Sequence, residues 1–382
     1  MTTAAVVSTP PRRADRLVGV DAARGLALLG MFTAHLTNVD QILVWTDPST
    51  WWAIAAGRSS VLFAVLAGVS LALVTGRDRP VRGRGLTIAR RRIAVRGVLV
   101  ALVGFALIQL QTPVAVILPT YGLLFLVLLP ALSWRRGALL GTAAGLAVVG
   151  LPLLLIFLPE LAISGQTTQQ VLLYYPLPVF AAYLLVGLAV GRSDLSSKRT
   201  LRLLAGGGAA LAIAVYSLGE AVTPGGAFSY GQAATGLRDY VFASEPHSST
   251  LVDMLGSIGV ALAVIGVCGL LAGLDLGAAG GLGAAGGPGA AGRLGAAGRL
   301  PLRLLAAIGA MPLTVYSAHL LVLAVLYHSG FLDGLGPAGD AGVLVAFAAG
   351  SCALGLAWRG RSGPLETVVG AVARLVGGRL PA

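Results

Sequence analysis

Ten stretches of mostly apolar residues, each close to the 20 or so that a helix needs to cross a bilayer, recur along this chain. They lie near 18–37, 54–75, 94–112, 114–132, 137–158, 171–190, 203–219, 251–274, 303–328 and 341–358. No single core buries that much apolar surface. Charged residues supply only 11% of the 382 positions, against about a quarter in a soluble domain. A disordered chain, a secreted disulfide scaffold and a soluble nucleic-acid binder are thereby excluded. The expected fold class is all-α, a polytopic membrane helix bundle of about ten transmembrane helices.

The net charge of +12 would suit nucleic acid if the bases were spread over a surface. They are clustered between apolar stretches instead. Arg12, Arg13 and Arg16 precede the first stretch, and eight arginines from Arg77 to Arg96 follow the second. Arg135 and Arg136, then Arg192, Lys198, Arg199 and Arg202, then Arg293, Arg299 and Arg303, and finally Arg359, Arg361, Arg374 and Arg379 complete the set. With ten spans, 24 of the 27 bases fall on one side and nine of the fifteen acids on the other. Basic loops mark the cytoplasmic side, so both termini are expected there.

The domain plan is accordingly simple. Residues 1–17 form a cytoplasmic tail without the small-residue site of a cleavable signal. Residues 18–358 form one transmembrane domain, and residues 359–382 an amphipathic cytoplasmic tail. Within the domain, 276–302 is read as a flexible cytoplasmic linker, because Gly-Ala-Ala-Gly recurs there four times around Pro288. Cys268 and Cys352 each sit inside an apolar stretch and read as small buried hydrophobes rather than a disulfide.

The first stretch carries charges that a spanning helix normally avoids. Asp21 and Arg24 enter its first turns, and His35 lies near its outer end. A charge at mid-bilayer costs roughly 2.5–3.5 kcal/mol on insertion scales. Asp21 and Arg24 are three apart and can pair on one face. Arg24 and His35 are eleven apart, which at 100° per residue is three turns plus about 20°, so they share a face about 16 Å apart along the axis. One helix thus presents a fixed cation toward the cytoplasm and a titratable imidazole toward the outside. Gly25 and Gly30 suggest that a neighbouring helix approaches closely.

The run Asp21-Ala-Ala-Arg24-Gly25-Leu-Ala-Leu-Leu-Gly-Met with the later His35 resembles the opening of the heparan-α-glucosaminide N-acetyltransferase catalytic-domain family. Gly57-Arg58-Ser59-Ser60 through Gly68-Val-Ser70 continues that likeness. Met311-Pro-Leu-Thr314-Val-Tyr316-Ser317-Ala-His319 and Gly363-Pro364-Leu365-Glu366 resemble bacterial multi-pass proteins grouped with these acyltransferases. The family's lysosomal enzyme places its catalytic histidine in the loop after the first helix, and residues 36–53 here contain none. His35 instead matches the Arg-X10-His spacing of membrane enzymes that O-acylate bacterial glycans. The resemblance implies a multi-pass plasma-membrane enzyme that moves an acyl group, acetyl in the first instance, from cytoplasmic acyl-CoA to a sugar or lipid-linked acceptor at the outer face. It implies catalytic roles for His35, Arg24 and Asp21, with His35 as base or transient acyl carrier. Arg24 would suit a phosphate, the pantetheine arm or the thioester carbonyl. The heparan acceptor does not carry over.

Further candidates come from the residues themselves. Tyr316 and His319 are three apart near the middle of the ninth stretch, and a histidine at that depth should face a cavity or the bundle interior. It is a site residue or a structural one bonded to a helix hydroxyl. Arg58, on the base-poor side, and Asn38 are candidate acceptor contacts. His328 reads as interfacial. The outer loop 220–250, with Tyr230, Arg238, Asp239, Tyr240, Glu245 and His247, is an acceptor surface or a solvated loop. Trp45, Trp51 and Trp52 suit an interfacial belt, or stacking on a sugar. The arginines of 77–96 suit CoA phosphates, although sidedness alone accounts for them. No metal-ligand spacing and no lysine-bearing phosphate loop is present, and no tightly bound cofactor is expected beyond acyl-CoA as co-substrate. The expected partners are the lipid bilayer, acyl-CoA, a glycan or lipid-linked acceptor and, undecided by the sequence, further copies of the chain; nucleic acid is not among them. A transporter or flippase is the alternative from another class, since buried charges and broken helices serve transport as well.

Overall fold

The computed structural model describes residues 17–37, 47–162, 174–223, 237–280, 290–358 and 361–378. Asn38, Trp45, Tyr230 and the arginines of the N-terminal tail lie outside the described residues. Among the described residues all regular structure is helical. The helices are α1 (Val18–Leu36), α2 (Arg58–Val74), α3 (Gly83–Ile108), α4 (Leu118–Val127), α5 (Arg136–Ala162), α6 (Leu177–Gly191) and α7 (Lys198–Val222). They continue with α8 (Leu237–Phe242), α9 (Leu251–Gly280), α10 (Ala290–Gly309), α11 (Pro312–His328), α12 (Pro337–Ala357) and α13 (Pro364–Gly377). Short 3₁₀ turns occupy Pro48–Ala55 and Pro130–Ser133.

The outer surface is apolar. Ile213 and Val325 are each 68% exposed and Val148 61%, a distribution that water would penalise and lipid tails do not. Four of the described helical stretches are long and apolar enough to cross a bilayer: Thr50–Val74, Lys198–Val222, Leu251–Gly273 and Ala338–Ala357. The chain is therefore an all-helical membrane protein, while ten crossings remain the count expected from hydropathy. Proline explains where helices differ from the apolar stretches. The stretch at 303–328 is two helices, bent by 85° between Gly309 and Pro312. Pro312 has no N–H to continue the ladder, and Met311 before it leaves the helical region, at φ −138° and ψ 60°. Likewise 114–132 is helical only over Leu118–Val127, between Pro119 in its first turn and Pro130, which opens a 3₁₀ turn. Of the expected linker, 276–280 continue α9, 290–302 begin α10, and 281–289 lie outside the described residues.

Helix α1 sits at the centre, packed on α2, α9 and α10, with α11 and α12 also in contact. Its glycines permit this. A Cβ on Gly25 would stand 2.0 Å from the Leu305 carbonyl oxygen, and one on Gly309 would stand 1.8 Å from that of Asp21. The α1 and α10 backbones therefore touch, as small residues allow in membrane bundles. Cys268 is buried and Cys352 half-buried, and neither is in a disulfide.

Candidate functional site

The charged end of α1 folds onto α2. Asp21 is buried at 5% exposure, and Arg24 Nη1 donates to its Oδ1 at 2.5 Å. Arg24 Nη2 donates to Ser70 Oγ on α2 at 2.8 Å, and that hydroxyl donates to the Leu66 carbonyl at 2.6 Å. The guanidinium is thus fixed by a carboxylate and a hydroxyl, with a small fraction of its surface left open. Pairing it this way relieves most of the cost of placing a charge among apolar helices.

Toward the other end of α1, His35 meets α11. Its Nδ1 lies 3.1 Å from His319 Nε2, and the two rings are nearly parallel, with centroids 5.3 Å apart at an interplanar angle of 11°. One imidazole must donate and the other accept, so the pair shares a single proton between the facing nitrogens. Phe32, one turn back on α1, packs its ring 4.6 Å from His319. Tyr316 stands edge-on to the same histidine at 5.0 Å, and its hydroxyl accepts from the Ile117 amide at 3.4 Å. His319 Nδ1 is buried with no hydrogen-bond partner among the described residues.

The proline break positions this pair by giving α11 a free N-terminus in the protein interior. Glu366, in the first turn of α13, fills it. Its Oε1 accepts from the amides of Leu313 at 2.7 Å and Thr314 at 3.1 Å, and its Oε2 accepts from Thr314 Oγ1 at 2.5 Å. A carboxylate at a helix N-terminus satisfies orphan amides and complements the dipole. The two late motifs, Met311 to His319 and Gly363 to Glu366, are thus the two halves of one contact.

Arg58 turns away from this site. Its guanidinium carbon lies 4.9 Å from the centroid of the Tyr216 ring on α7, and Nη1 donates weakly to the Ala53 carbonyl at 3.5 Å. Tyr216 hydroxyl is 3.1 Å from Ser257 Oγ, which donates to Asp253 Oδ1 at 3.2 Å. Arg58, a candidate acceptor contact, instead belongs to this chain from α2 through α7 to α9, because the first residue of α2 faces those helices. Beside it lies a small cavity lined by Ser60, Tyr174, Phe180, Tyr183, His247 and Asp253, among others. His247 and Ser249 adopt left-handed φ of 63° and 59° to reach it, conformations that cost non-glycine residues energy. Burial pushes the His247 imidazole down to about 4, so it is neutral there at physiological pH. Tyr216, Ser257 and the role of Asp253 escaped the sequence reading. The available signal was an acid followed by serine four residues on, inside an apolar stretch.

His328 Nε2 lies 2.8 Å from the Leu110 carbonyl at an exposed helix end, and Trp51 and Trp52 are exposed. Among the described residues no group of three metal-ligating side chains forms.

An all-helical bundle with an apolar exterior, holding a fixed arginine and a histidine pair inside, defines an integral membrane protein with a polar site between its helices. Residues 16–222, just over half of the chain, match the catalytic family of heparan-α-glucosaminide N-acetyltransferase. The chain belongs to that family. No curated protein and no solved structure matches it. The matched span carries Asp21, Arg24, His35 and Arg58, whereas His319 and Glu366 lie beyond it.

Proposed function

We propose that the protein is a plasma-membrane acyltransferase that moves an acyl group, acetyl in the first instance, from cytoplasmic acyl-CoA to a sugar or lipid-linked acceptor at the outer face. The supporting observation is the half-buried His35–His319 hydrogen bond, whose His35 is on the same helix as an arginine held by Asp21 and Ser70. In this mechanism His35 Nδ1–H is the donor of the pair and His319 Nε2 its acceptor. That tautomer leaves His35 Nε2 with a free lone pair. His35 then takes the proton from the acceptor hydroxyl or amine as that atom attacks the thioester carbonyl. The carbon–sulfur bond breaks, and the CoA thiolate leaves with the proton returned from His35. Arg24 holds the donor by its pantetheine or phosphate oxygens, and Asp21 keeps the guanidinium in place.

Titration of acetyl-CoA into the detergent-purified protein, alongside release of free CoA thiol in membranes, tests this reading. The expected result is that His35→Ala binds acetyl-CoA normally but releases no thiol, whereas Arg24→Ala binds it at least tenfold more weakly, about the loss of one charge-assisted hydrogen bond. A well-folded wild type that binds no acyl-CoA overturns it. One observation favours transport or lipid flipping as the second reading, the 85° break between α10 and α11, since broken helices line transporter sites. Substrate movement without any thioester would establish that alternative.

A further inference from the structure

Three arginines meet at the seam where α13 lies on α3. Arg92 donates from Nε and Nη2 to the Gly378 carbonyl at 2.8 and 2.6 Å, tying down the end of α13. The fit is close, for a Cβ on Gly377 would stand 2.6 Å from Arg92 Cγ. One turn along α3, Arg96 is mostly buried, and its Nε is buried with no hydrogen-bond partner. The charges that bear on Arg96 are those of Arg374 and Arg92, both repulsive. Glu366, the acid of α13, is spent on the N-terminus of α11. Like charges gathered without a counter-charge among the described residues, one of them largely removed from water, are costly. The seam is therefore arranged for an anion with several acceptor oxygens, which the arginine fork matches.

The same helix says what carries that anion. Along α13, Val369, Gly370, Ala373 and Gly377 are buried against the protein. A second apolar row faces outward, with Val368 59%, Leu375 84% and Val376 62% exposed. A helix with one apolar side on the protein, another uncovered, and an arginine beside it suits the headgroup level of a membrane. We propose that Arg96 and Arg374, with Arg92, form a site for the phosphate of an anionic phospholipid whose acyl chains cover Val368, Leu375 and Val376. A bound lipid there would pin α13 to α3 and, through Glu366, the N-terminus of the helix that carries His319. The site is independent of the acyl-transfer reading.

Fluorescence anisotropy of a short-chain labelled phosphatidylglycerol, added to the full chain in neutral detergent, measures the site directly. The expected result is saturable binding that unlabelled phosphatidylglycerol competes away and phosphatidylcholine does not. Arg96→Gln and Arg374→Gln should each weaken it about fivefold, the worth of one basic residue at a lipid surface. Arg91→Gln, an equal loss of charge on the exposed side of α3, should leave it unchanged. Should Arg96→Gln misfold, exposed Arg374 carries the comparison. Equal weakening by Arg91→Gln would reduce the effect to general surface charge and overturn the site. Complete displacement by inorganic phosphate or CoA, with no effect of Leu375→Ser, would make it a free-phosphate site and overturn the lipid assignment.

Discussion

Asp21 and Arg24 show how a charged pair survives inside an apolar helix. Each is stabilised by the other, so removing one costs more than removing both. Arg24→Ala takes the cation away from the buried Asp21 carboxylate and should destabilise the protein by about 3 kcal/mol. Asp21→Asn in the same background should recover more than half of that. Thermal unfolding in detergent checks both, and equal stability of the single and double variants would mean that the pair is solvated. The pairing was legible in the sequence, because residues three apart on a helix face one another. Helical register puts Arg24 and His35 on one face, and in the structure they meet different helices, α2 and α11. The partners each chose were not legible: Ser70 lies 46 positions from Arg24, and His319 lies 284 from His35.

Among the helices, proline and glycine decide what the apolar stretches become. Hydropathy joins residues 303–328 into one span, since averaging over a window hides a single missing amide. Pro312 breaks that span and creates the N-terminus that Glu366 occupies. Glu366→Ala should therefore lower stability by roughly 1–2 kcal/mol, the worth of a helix cap, and should loosen the His35–His319 contact that α11 carries. Thermal unfolding gives the first effect, and loss of thiol release at unchanged acetyl-CoA binding gives the second. Glu366→Gln, which keeps one carbonyl acceptor, should fall between. An unaltered Glu366→Ala variant would show that the cap is incidental. Gly25 was legible as a contact point, whereas its partner Leu305 was not, because a small residue announces a close approach without naming what approaches.

For the whole molecule, sidedness is the property to test. The grouping of 24 bases on one side is the ground for expecting both termini in the cytoplasm. Thr3→Cys and Ala382→Cys should both react with an impermeant maleimide only in inside-out vesicles, and Glu245→Cys only in right-side-out ones. Termini on opposite sides would require an odd number of spans and would reverse the assignment of half the loops. What the sequence by itself determined is the membrane as solvent, the all-helical class and the charged face of α1, because apolar length, composition and helical register are local quantities that add along the chain. The tertiary structure alone decided that His35 faces His319, that Arg58 turns to Tyr216 and Asp253, and that Glu366 caps α11. Those contacts depend on which helix lies beside which, and shape and packing between distant segments set that order with no periodic trace in the residues that meet.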